Sequence, residues 1–98
     1  MKQKWRGIFP ALSTTTNEKG ELDEYSLRSE IRFNIEWGAH GLAASILAGE
    51  FYKLTDKERL KIFDIVVDEA KGRVPVLVGV SHSGTEPAVG FAEHAKDI

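Results

Sequence analysis

The chain has 98 residues, with 13 Lys and Arg against 15 Asp and Glu and a formal charge of −2, which gives no electrostatic footprint for nucleic acid or an anionic membrane. The absence of cysteine excludes disulfides, thiolate metal sites and a cysteine nucleophile. A chain this short makes one small domain at most.

After Lys2, Lys4 and Arg6, the apolar run of residues 8–12 is too short for a signal-peptide core. No stretch approaches the roughly 18 apolar residues of a membrane span, so the cytoplasm is the expected compartment. Residues 7–13, bounded by turn signals, read as a buried strand, although Pro10 is unusual in a strand interior. Asn17 to Gly20 marks a turn. Asp23 is then placed to cap a helix, with Glu24 in its first turn and Gly38 at its end. Leu27, Ile31 and Ile35 form one apolar stripe on it. Phe33 and Trp37 form a second, so this helix is expected to touch more than one neighbour.

Residues 41–46 read as a second strand, running into a loop over residues 47–54. Thr55 and Glu58 stand at the spacing of a capping box and open a second helix. Its expected core stripe is Phe63, Val66, Val67 and Ala70, and Lys71-Gly72 closes it. Residues 74–80 are apolar without alternation, as in a parallel strand buried on both faces. A loop over residues 81–84 follows. Thr85 is the expected cap of a third helix, with Ala88, Ala92 and Ala95 on its inner face.

Ile8, Leu42 and Val76 are spaced 34 residues apart, each in a predicted strand. Strand and helix alternating at this interval imply parallel βαβ units with right-handed crossovers. Eight units of this length need about 270 residues, near the size of an eightfold β/α barrel. A small open α/β sandwich of flavodoxin type is the alternative that spacing leaves standing.

In both architectures ligands sit beyond the carboxyl ends of the strands. That selects residues 13–16, 47–53 and 81–84. Gly49 lets backbone approach a ligand, and N–H groups around it can hold a carboxylate or phosphate; an ordinary turn is the plainer reading. His82 lies in the third of these loops without a second histidine or a carboxylate at ligand spacing. His40 is expected to be structural, on the face opposite the site, and His94 exposed on the third helix. A Schiff-base lysine needs a buried setting that lowers its pKa. Lys2, Lys4, Lys19, Lys57, Lys61, Lys71 and Lys96 fall on termini, turns or helix surfaces, and Lys53 alone lies in a site loop. None has the expected setting. Glycine-rich phosphate loops and a serine elbow are absent.

Several segments, taken together, resemble the dihydrodipicolinate synthase and N-acetylneuraminate lyase family. They are residues 7–14, 20–23, 38–42, Gly49-Glu50, residues 54–59 and residues 72–76, a likeness that runs nearly end to end. The resemblance implies an α/β fold in which residues 1–98 are the first three βα units of a TIM (β/α)8 barrel. It also implies a homotetrameric class I aldolase or lyase that joins pyruvate, or another 2-oxo acid, to a barrel lysine as a Schiff base. An aldehyde is the second substrate in some branches, and no cofactor is implied. The family lysine, on the sixth strand, and a helper tyrosine, on the fifth, would both lie beyond Ile98, so no catalytic residue is expected here. The chain alone is expected to be inactive, and poorly folded or associated.

The family usually carries Gly-Thr-Thr-Gly-Glu after the second strand, and its two hydroxyls bind the substrate carboxylate and relay protons. The matching residues here are Ile46, Leu47, Ala48, Gly49 and Glu50. Both hydroxyls are replaced, and Thr15-Thr16 stand where Pro-Phe is common. Leu47, Ala48 and Gly49 are therefore the expected substrate-binding residues, acting through backbone N–H groups, in a divergent member with another substrate. The rival reading is a barrel without catalysis that serves as a ligand-binding or regulatory protein.

Overall fold

The computed structural model describes residues 5–98. Helix α1, Glu24–Glu36, starts where sequence demands: the Asp23 carboxylate accepts the Ser26 N–H at 3.1 Å. It ends as Gly38 takes a φ of +94°, a conformation that costs glycine nothing. Strand β1, Leu42–Ala44, follows, then two short 3₁₀ turns, Leu47–Gly49 and Phe51–Lys53, joined by a left-handed Glu50. Helix α2, Asp56–Ala70, opens on a complete capping box between Thr55 and Glu58 and closes on Lys71 and Gly72, both at positive φ. Strand β2, Val76–Val78, leads to helix α3, Thr85–Asp97. No helix among the described residues is long and apolar enough to cross a membrane.

The first expected strand is reduced to an extended segment. It pairs with β1 in parallel through the Ala11–Ala43 bridge, with Leu12 N–H donating to Ala43 and Ala43 N–H to Pro10. Strand β1 is thus central, with β2 on its other side in the register Leu42 to Val76 and Ala44 to Val78. The interval of 34 residues holds between β1 and β2 (76 − 42), whereas the first segment is offset by 32 (43 − 11), which sets Ile8 opposite His40. Ile8 lies before the helix-covered part of the sheet and is 71% exposed, which corrects its expected burial.

Side chains alternate across the sheet. Leu12, Leu42, Ala44, Val76 and Val78 point to the helices and pack with Leu27, Ile31, Ile62, Ile65, Val66 and Ala70. In register on the other face stand Ala11, Ala43 and Leu77. Leu77 is 39% exposed there, so residues 74–80 are not buried on both sides, because only one face of this sheet carries helices among the described residues.

Helix α2 lies between α1 and α3 as well as on the sheet, so its buried stripe is wider than expected. Arg59, Ile62 and Ile65 join Phe63, Val66 and Ala70, while Val67 is half-buried. On α3 the buried residue is Phe91, edge-on to Phe63 at 5.9 Å, and Ala92 is exposed. Ala88 and Ala95 of the expected inner face are half-buried, and the phenyl ring of Phe91 makes the aromatic contact with α2. The cap of α3 is Gly84, with Thr85 as first helical residue. Phe33 and Trp37, the expected second flank of α1, are 60% and 78% exposed and lie against each other at 6.1 Å.

Candidate functional site

All three selected loops gather at the carboxyl ends of the parallel segments. The first 3₁₀ turn is closed by Gly49 N–H to Ile46 carbonyl at 3.0 Å and Glu50 N–H to Leu47 carbonyl at 2.9 Å. A helical turn leaves its first N–H groups without internal partners, here those of Leu47 and Ala48. Gly49 is needed for another reason than its φ: a Cβ would stand 2.9 Å from the Leu12 carbonyl oxygen. The Thr14 hydroxyl donates to the Gly49 carbonyl, tying the first loop to this turn. Behind Thr14, the Glu30 carboxylate of α1 accepts the Ser13 N–H at 2.9 Å.

Ser45, where the chain leaves β1, is buried at a φ of +57°. Its hydroxyl accepts from Arg59 Nε at 3.1 Å. The same guanidinium donates to the Ser81 carbonyl at 2.6 Å and the Gly79 carbonyl at 2.7 Å. Arg59 is 3% exposed, with the Phe51 and Phe91 rings 4.9 and 4.3 Å from its central carbon. Burial works against its charge and lowers its pKa, an effect that Asp56 partly offsets. Arg59 and Ser45 do not stand out among the chemistry-bearing residues of the sequence. The signal for Arg59 is its place four residues before Phe63 on the inner stripe of α2, where an unpaired arginine would be costly.

His82 is engaged on both ring nitrogens. Nδ1 accepts the Gly84 N–H at 3.1 Å, which leaves Nε2 to donate to Asp56 at 3.2 Å. It braces the loop over residues 81–84 and the start of α2 together. His40 exchanges two hydrogen bonds with Ile8, N–H to carbonyl and Nδ1 from N–H, each 3.0 Å, at the opposite end of the sheet. His94 is half-buried and holds Asp64 at 2.7 Å. Among the described residues no group of three or more His, Asp or Glu side chains converges as a metal site. Lys53 pairs with Glu50 at 3.0 Å, and that bond raises its pKa, the reverse of what imine formation needs. Lys19, Lys57, Lys61, Lys71 and Lys96 are exposed; Lys2 and Lys4 lie outside the described residues.

Parallel segments, helices on one face and loops gathered at the carboxyl ends make this an α/β fold. The sequence model of the dihydrodipicolinate synthetase family matches residues 4–98, and the chain belongs to that family. It is 39% identical over 97 residues to the 4-hydroxy-tetrahydrodipicolinate synthase of Afipia carboxidovorans, covering 99% of this chain and 32% of that one. A putative dihydrodipicolinate synthetase from Pseudomonas aeruginosa superposes with a TM-score of 0.93 at 30% identity, over 96% of this chain and 32% of the other. YagE, a prophage protein of the dihydrodipicolinic acid synthase family from Escherichia coli K12 solved in complex with pyruvate, superposes with a TM-score of 0.89 at 32% identity, over 93% and 30%. The chain thus spans about a third of the length of the relatives it matches.

Proposed function

We propose that this chain supplies the first three βα units of an eightfold β/α barrel, residues 1–98 being part of that single domain. In such a barrel the row of Ala11, Ala43 and Leu77 faces the interior, which later strands would fill. The whole protein is then a lyase of the aldolase type that takes a 2-oxo acid such as pyruvate, in some branches of the family with an aldehyde as second substrate. The lysine amine attacks the 2-carbonyl, water leaves, and the imine draws electrons from the neighbouring carbon. That lysine is expected on the sixth strand and its tyrosine helper on the fifth. The working form is a cytoplasmic homotetramer without cofactor, nucleic acid or membrane partner.

The observation that carries this reading is the turn after β1. Leu47 and Ala48 stand where the family carries hydroxyls, with Gly49 at the family's own glycine, so a carboxylate at this turn would be held by the backbone N–H groups at its start. In the full-length protein, incubation with pyruvate and borohydride should fix one reduced pyruvyl group on one lysine, read by mass. No adduct, but saturable pyruvate binding, would establish the rival, a ligand-binding barrel, which the missing hydroxyls favour. Neither adduct nor binding would sink both readings.

A further inference from the structure

We infer that Arg59 is a positioning residue for the 2-oxo acid: its buried guanidinium holds Ser45, and through Ser45 fixes where the Leu47–Gly49 turn presents its N–H groups. The inference rests on the carboxylate reading of that turn. Three guanidinium nitrogens each meet a different oxygen: Ser45 Oγ, Gly79 carbonyl and Ser81 carbonyl, at 3.1, 2.7 and 2.6 Å. All three oxygens lie just past the ends of β1 and β2, and none belongs to the apolar core. The residue therefore spends its hydrogen bonds on the rim of the site.

Ser45 has reason to need holding. Its φ of +57° is one that side chains other than glycine rarely adopt, and it sits two residues before the turn. A Cβ on Gly79 would strike the Ser45 carbonyl oxygen, so the end of β2 is pressed against this peptide. Ser45 is thus fixed from two sides, by the backbone of Gly79 and by Arg59. Release of the second lets the left-handed residue relax and turns the following N–H groups away from their present direction. A guanidinium can do this and an ammonium cannot, because three separate acceptors, one after β1 and two after β2, call for a planar fork of donors.

The test uses the full-length protein and reads the pyruvate concentration that half-saturates borohydride trapping. Arg59→Ala should raise it about tenfold or more, and Arg59→Lys should not recover it. Millimolar guanidinium, well below denaturing levels, should lower it again in the alanine variant. Ser45→Ala should raise it in the same direction, and Arg59→Ala with Ser45→Ala should be no worse than Arg59→Ala alone. If Arg59→Ala does not fold, Ser45→Ala decides, since it deletes one hydroxyl only. Variants that lose thermal stability yet keep the parent's half-saturation would reduce Arg59 to a structural brace and overturn the inference. A parent that traps no pyruvate defeats the imine reading, and the same comparison is then read as calorimetric pyruvate affinity; a parent that binds none defeats the carboxylate reading, and this inference falls with it.

Discussion

A peptide N–H is a small donor that mutation can remove in only one way, by proline. Ala48→Pro in the full-length protein deletes one of the two N–H groups free of the turn's own bonding. A charge-assisted hydrogen bond to a carboxylate is worth about 1.5–3 kcal/mol, so pyruvate affinity should fall about tenfold or more. Ala48→Thr keeps the N–H and returns a hydroxyl, and should bind at least as well as the parent. Calorimetric titration of both, after circular dichroism shows them folded, checks the pair; a folded proline variant that binds as the parent does would move the carboxylate elsewhere. At this scale the sequence was only partly legible. Gly49 could be singled out because it follows a strand, but the contact that demands it is with the Leu12 carbonyl, far away in sequence. Arg59 escaped because an arginine in a helix reads as surface, and its three acceptors come together only when β1 and β2 are side by side.

Elements whose boundaries are written in neighbouring residues were legible: the Asp23 cap, the Thr55–Glu58 box and the Lys71-Gly72 stop are local chemistry. Elements that depend on neighbours were not. Residues 7–13 lose most of their strand character with a single bridge to β1, and Leu77 is half open for want of a layer over it. The α1–α2 contact offers a test of its own. Arg28 reaches Glu69 at 3.0 Å and Asp68 at 2.8 Å, and Arg32 reaches Glu69 at 3.3 Å. The hydrogen bond from Arg28, with help from Arg32, holds the Glu69 pKa below its ordinary value. A carboxylate depressed in the fold stabilises above its unfolded pKa, near 4.3, and that contribution fades as pH falls through the lower folded value. Glu69→Gln should therefore lower Tm at neutral pH, with the gap from the parent closing progressively below about pH 4. A gap that stays constant into acid would assign the effect to packing and not to charge.

For the whole molecule, parallel order was legible from spacing alone, since strands that follow one another through helices have little other choice. What surrounds them was not, because a sheet three segments wide has two edges and one uncovered face whatever its residues. The consequence can be measured on a polypeptide limited to these 98 residues. Its sheet would present unpaired backbone on both margins, Leu77 on the uncovered face, and Phe33 and Trp37 on α1. Open edges and apolar patches of this kind drive chains together. Such a polypeptide should sediment as an associated species, or melt without a sharp transition. It should also take up no pyruvyl group under borohydride. Each described lysine is exposed, and the one lysine in the site loops, Lys53, is held charged by Glu50. An exposed ammonium with a raised pKa is a poor nucleophile at neutral pH. A monomer with one cooperative transition would mean that three units close a core by themselves. A stable adduct on a single lysine of that polypeptide would move the covalent chemistry from a later strand into these residues.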